Sequence, residues 1–422
     1  MKEHARGRLP HYLESLSYND FRTLWIASLS AGAAAWALIV ARGWLIYTIS
    51  DSSLWVGIVT FAAMIPRVLV TPITGYLSDR FDRRSVIAAM FAINTAHNLV
   101  LGALVVTDTV NVWTLVLLAF VNGSARAAMM PASQALIPNL VPRRILLNAI
   151  SLNQAAGHGS RLLGPGAIAP LLSTIGAEGA FFMCSAFYLV GFLQVMRIQT
   201  CSTGSIDPNR SFISNLGAGL IYVYKTPTLL AIVLLALFHC GLTMSFESLL
   251  PVLSSQQLDA KGAGFSFMMM AVGAGALTSV GVLAGIRNET SKGKIFLSLG
   301  VFSGLSPVAL AVSTTMPMAL MSAAAMGATQ AGFMTLTHTM IQSILPDGIR
   351  GRVGAVYSVH IGGMMAIANL FNGVLADHLR ASLLLGIGGI LFIMAMIISW
   401  RLMTFRRIYS SGLPLGDVHV LP

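Results

Sequence analysis

Long apolar runs separated by short polar breaks organise this chain. They cover 23–48, 54–77, 84–107, 112–138, 145–173 and 179–199, and after a gap 227–252, 262–286, 293–313, 317–343, 353–376 and 381–404. A membrane-crossing helix needs about 20 predominantly apolar residues. Each run therefore predicts a span, and the fold class is an all-α membrane protein of twelve transmembrane helices in two six-helix, pseudo-symmetric halves. Prolines at 66, 72, 131, 165, 170 and 307 fall inside these runs. Membrane helices tolerate them where neighbouring groups satisfy the freed carbonyl. The gap opens polar, from Ser202 to Arg210, then carries Phe212, Leu216, Leu220 and Val223 at helical spacing. That pattern predicts an amphipathic helix on the membrane face. The expected organisation is a cytoplasmic N-terminal segment (1–22), an N-terminal bundle (23–199), a cytoplasmic linker (200–226), a C-terminal bundle (227–404) and a cytoplasmic tail (405–422).

Composition strengthens this reading. The 422 residues are 55% hydrophobic and 10% charged, against about 25% charged in a soluble domain, and mean hydropathy is +0.77. The net charge of +11 would suggest nucleic acid in a soluble protein; here it fits basic loops facing anionic lipid, with no nucleic-acid partner. The N-terminus, the even-to-odd connections and the C-terminus carry 20 of the 26 Lys and Arg residues, the opposite loops only Lys261 and Arg380. Both termini are thus expected in the cytoplasm, with the chain a multi-pass membrane protein. The polar stretch Met1–Asp20 has no signal-peptide core. Cys184, Cys201 and Cys240 match no disulfide framework or metal site. Walker, dinucleotide and zinc motifs are missing, as is a catalytic triad. No cofactor, metal or enzymatic role is expected.

The halves echo each other. Gln134-x3-Pro138-x2-Val141-x2-Arg144 matches Gln342-x3-Pro346-x2-Ile349-x2-Arg352 at an offset of 208 residues. More faintly, Gly75, Asp79 and Arg84 match Gly285, Glu289 and Lys294. Parallel six-span repeats are a transporter architecture with the substrate site between them.

The charged island Gly75-Tyr-Leu-Ser-Asp79-Arg80-Phe-Asp82-Arg83-Arg84 resembles the loop between the second and third helices of major facilitator transporters. The whole chain resembles that superfamily, and within it the bacterial efflux branch that includes enterobactin and macrolide exporters. Asn19-Asp-Phe-Arg-Thr-Leu-Trp25, Trp44-Leu-Ile-Tyr47, Pro131-Ala132, Leu136-Ile-Pro138 and Gly164-Pro165 carry the likeness. Two places depart from it: Asp82 stands where the family loop has Gly, and Ile168-Ala169 where the antiporter motif has a Gly pair. The resemblance implies the major facilitator fold, antiport, and a conformational latch formed by Gly75, Asp79, Arg80, Arg83 and Arg84. Gly75 would allow close helix approach, and the arginines would hold the anionic cytoplasmic surface. A plain topogenic charge cluster is the simpler alternative. Gly164 and Pro165 imply a bend in span five, acting as hinge or seal, or an ordinary proline kink.

Charges at membrane depth face the protein interior and mark pathways. Glu247 is the one carboxylate deep in an expected span, and Arg42, Arg67, Arg126 and Arg161 are the cations. Arg42 and Glu247 are candidates for a coupling interaction made and broken during transport, or for a permanent ion pair. Arg67, Arg126 and Arg161 are substrate-cavity candidates suited to an anionic or polar ligand; the alternative is bonding to backbone carbonyls and to Asn94, Asn122 or Asn153. His97, His158, His239, His338 and His360 fall within spans and could relay protons, with His338 on span ten the best placed. The 22 methionines read as packing residues, or as a pliable pocket.

The expected function is proton-coupled export of a small drug-like, siderophore-like or other amphipathic or anionic molecule by alternating access, in a protein acting as a monomer in the inner membrane of a bacterium. The alternatives are an importer, facilitator or lipid-handling transporter of the same fold and, more remotely, a membrane sensor or intramembrane enzyme.

Overall fold

The computed structural model describes residues 11–70, 81–200, 212–260, 262–284, 289–345 and 349–411. Among them the chain is helical, without strands. The first set comprises α1 (Asn19–Ser50), α2 (Ser53–Met64), α3 (Pro66–Leu69), α4 (Arg83–Val106), α5 (Val112–Leu140), α6 (Leu146–Thr174) and α7 (Ala177–Met196). The amphipathic α8 (Phe212–Lys225) follows in the linker, as its spacing predicted. The second set is α9 (Pro227–His239), α10 (Leu250–Gln256), α11 (Gly262–Ala284), α12 (Glu289–Ala311), α13 (Met316–Ile344), α14 (Arg350–Ala376) and α15 (Ala381–Arg401). A final short helix, α16 (Met403–Ser411), packs Phe405, Ile408 and Tyr409 into the second set's core, so the expected tail is partly structural. Nine helical stretches among the described residues are long and apolar enough to cross a membrane.

Lipid tails are as apolar as leucine, so helix association depends on close packing and polar bonds. Alanines 31, 33, 34, 35, 37 and 41 are buried along α1 and make it slim enough for α6 and α7 to close around it. Gly164 lies against the Ala33 backbone, where a Cβ would overlap the carbonyl. In the second set α11 crosses α13 at two reciprocal glycines: a Cβ on Gly275 would overlap the Ala324 carbonyl, and one on Gly327 the Val272 carbonyl. Between the sets, α2 packs on α14 and α6 on α11.

One expectation changes. The run 227–252 is not one helix. After α9 the chain makes a π turn, Cys240–Met244, leaves helical geometry at Ser245–Leu249 and resumes as α10. The freed backbone is bonded by side chains from other helices. Asn372 Nδ2 donates to the Ser245 carbonyl (2.5 Å), the Ser248 amide donates to Asn369 Oδ1 (3.1 Å), and Gln330 Nε2 donates to the Thr243 carbonyl (2.7 Å). Non-helical backbone survives at membrane depth only when satisfied in this way. The helix α6 carries Gly164, Pro165 and Pro170 within it. Pro165 frees the Arg161 carbonyl, and Gly273 of α11 packs against it; a Cβ there would sit 2.7 Å from that oxygen. Ser266 of α11 also donates to the Pro165 carbonyl (2.5 Å). Gly164-Pro165 thus serves a seam between the two sets.

Candidate functional site

A cavity of about 210 Å³ lies between the two sets of helices. Four guanidiniums and one carboxylate face it: Arg42 from α1, Arg67 from α3, Arg126 from α5, Arg161 from α6, and Glu247 from the turn that interrupts the seventh run. The five groups singled out by their charge in apolar runs therefore converge. Ile39, Val59, Met64, Met244 and Met365 supply the apolar wall.

The groups share the cavity without pairing. Arg42 is 4% exposed and Glu247 5%, yet among the described residues no ion pair within 4.0 Å joins any of the four arginines to a carboxylate. The Arg42 Nη1 and Arg161 Nε atoms are buried with no hydrogen-bond partner. Arg161 lies over the Trp36 ring, its Cζ 4.1 Å from the centroid, a cation–π contact that holds the guanidinium against the wall. Of the expected alternative partners, two are engaged with each other: Asn122 Nδ2 donates to Asn94 Oδ1 (2.7 Å). Four cations against one carboxylate leave three positive charges unmatched, and a buried uncompensated charge costs several kcal/mol. The arrangement is suited to hold a polar or negatively charged group.

Among the described residues, the two sets are bonded at mid-depth and at the end of the bundle away from the start of α1, here the far end. Asp377, the residue after α14, reaches the N-terminus of α2. It accepts from the Ser52 hydroxyl (2.7 Å) and from the Ser53 (2.5 Å) and Leu54 (3.2 Å) amides. A carboxylate there satisfies orphan amides and complements the helix dipole. One turn inward Gly57 and Gly373 touch backbone to backbone, and Gln256 donates to the Tyr47 hydroxyl (3.3 Å).

Other candidates fall elsewhere. His338 is exposed beside Tyr357 (ring centroids 6.0 Å apart), not among the cavity-lining residues. It sits on the expected helix, α13. His239 bonds Ser303 (2.6 Å) between Phe333 and Phe392, a core role. Gly75, Asp79 and Arg80 lie outside the described residues. Arg83 donates to the Ala135 carbonyl (3.0 Å) and Arg84 to that of Met196 (3.4 Å), tying the start of α4 to α5 and α7. Trp36, Asn369, Asn372 and Asp377 went unmarked in the sequence. The two asparagines had a usable signal, being polar and three residues apart in an apolar run. Trp36 and Asp377 had none.

Known proteins resemble the chain over nearly its whole length. It is 26% identical to the multidrug efflux pump Tap of Mycolicibacterium fortuitum, over 83% of this chain and 88% of that one. It is 20% identical to macrolide efflux protein A of Streptococcus pyogenes, over 92% and 97%. The crystal structure of the nucleoside transporter NupG (D323A mutant) superposes with a TM-score of 0.73 at 12% identity, covering 90% of this chain and 99% of that one, and shows the same fold. The profile of the transmembrane secretion effectors matches residues 12–410, and the chain belongs to that family of major facilitator transporters.

Proposed function

We propose that this transporter exports a small molecule by alternating access and that Glu247 links the cycle to protons. One observation carries the reading: a cavity between two helix sets holds four cations and one carboxylate with no ion pair among them. Groups so placed are free to change partner when a ligand or proton arrives. Export is supported by the efflux pumps among the relatives. The basic end lies in the cytoplasm by the Lys and Arg asymmetry, which puts Asp377 and the Gly57–Gly373 contact at the outer face, closed in this conformation. Rocking of bundles 23–199 and 227–404 would open that face, and the loop at Gly75, Asp79, Arg80, Arg83 and Arg84 would close the cytoplasmic one.

The test is purified protein in liposomes under an imposed pH gradient, challenged with dyes, macrolides, siderophores and aromatic acids. At least one class is expected to move together with protons, and Glu247→Gln to abolish the proton movement while leaving the protein folded. Proton-linked flux of unchanged size in Glu247→Gln would remove Glu247 from the cycle. Dissipation only in the loading direction would make the chain an importer.

A further inference from the structure

Resting on the reading above, we infer that the cavity's cargo is an organic acid anion, and that this anion and a proton load together. Glu247 faces Arg42, Arg67, Arg126 and Arg161, contributed by α1, α3, α5 and α6, while α14 contributes Met365 and no titratable group. Glu247 is thus the one internal counter-ion for four guanidiniums. A second anion entering the cavity meets the buried Arg42 Nη1 and Arg161 Nε atoms, which have no partner. It also meets Glu247, a like charge in a poorly screened space. Protonating Glu247 removes that repulsion and releases the guanidiniums to the cargo. The linkage is reciprocal: the proton favours the anion and the anion favours the proton. The Trp36 ring under Arg161, with Ile39 and Met365 nearby, suits a flat apolar body behind the acid group.

The sign of coupling follows from these charges. An exchanger working through Glu247 needs a cargo that the proton displaces, which a cation would be and an anion is not. Here proton and anion travel in the same direction, and an acid accumulating inside the cell leaves as the electroneutral pair, driven by its own gradient.

The experiment uses purified full-length protein in weakly buffered detergent solution, titrated with three probes of one shape: 2-naphthoate, 2-naphthamide and 2-naphthylmethylammonium. Binding is followed calorimetrically, and protons by a pH indicator. The naphthoate is expected to bind at least tenfold more tightly than the other two, with net proton uptake approaching one per site. Glu247→Gln is expected to bind the naphthoate about tenfold more tightly at neutral pH, within the usual range of coupling factors, and to take up no proton. This variant gains affinity, so misfolding cannot imitate the result. Preference for the ammonium, absence of naphthoate binding, or proton release on binding overturns the inference. Proton-exchanging efflux of a cation in liposomes would sink it while leaving the transporter reading intact. Acid binding with proton uptake but no flux would do the reverse.

Discussion

Leucine at Gly373 is expected to hold the far end of the protein open. A Cβ at this position would lie 2.7 Å from both the Gly57 Cα and the Ser53 carbonyl oxygen. From the other side, a Cβ on Gly57 would lie 2.9 Å from the Gly373 Cα and 3.0 Å from the Asn369 carbonyl oxygen. These obstacles are backbone, so no change of rotamer relieves them, and α2 and α14 must separate. Overpacking costs about 1–3 kcal/mol, enough to displace by about fivefold to a hundredfold an equilibrium between conformations a few kcal/mol apart. The readout is a cysteine at Thr60, on the cavity wall, in a background without Cys184, Cys201 and Cys240. An impermeant maleimide added from outside should label it several-fold faster in Gly373→Leu. Asp377→Ala removes the cap on α2 without adding bulk, and a lost N-cap costs about 1 kcal/mol, so it should give a smaller rise of the same sign. Unchanged labelling in both variants would show that this contact is not a gate.

Valine at Gly327 is expected to cost the folded protein itself. Here α11 and α13 meet through glycines on both sides, each facing the other helix's carbonyl. The branched side chain would wedge apart two helices of the same set, next to the buried Val272, Ala323 and Met326. No alternative conformation offers relief, because this crossing lies within one set. The cost should reach or exceed the upper end of the overpacking range, about 3 kcal/mol. Size-exclusion profiles and thermal midpoints in detergent provide the measure. Monodisperse Gly327→Val melting at the wild-type temperature would contradict the packing described.

Placement of the helices was legible because apolar length dictates it, and the convergence of Arg42, Arg67, Arg126, Arg161 and Glu247 because charge in an apolar run must turn inward. The partners were not legible. Arg42 and Glu247 share the cavity without the expected ion pair, and Arg161 stacks on Trp36, a residue with no charge to announce it. The interruption at Ser245–Leu249 was not legible for a related reason. Ser245, Glu247 and Ser248 are polar, but the runs on either side are apolar enough to carry them as part of a span, and the groups that bond the freed backbone, Asn369 and Asn372, lie on another helix. His338 shows the limit of helix-level inference: an assigned span fixes depth, and rotation about the axis decides what a side chain meets. Among 40 glycines, nothing in composition marks Gly57, Gly273, Gly327 or Gly373 as contact points.

The interrupted seventh run has a consequence for isotope labelling. Amides inside membrane helices exchange slowly because each is locked in a ladder away from solvent. The Ser248 amide instead depends on the Asn369 side chain, and the Leu249 amide on a single turn to the Phe246 carbonyl. These hydrogens border a cavity that must hydrate whenever its cargo leaves. Deuterium should therefore enter this short segment ahead of α9 and α10 on either side, and a bound cargo should slow it. The segment becomes a built-in clock for occupancy, readable by mass spectrometry without any label attached to the protein.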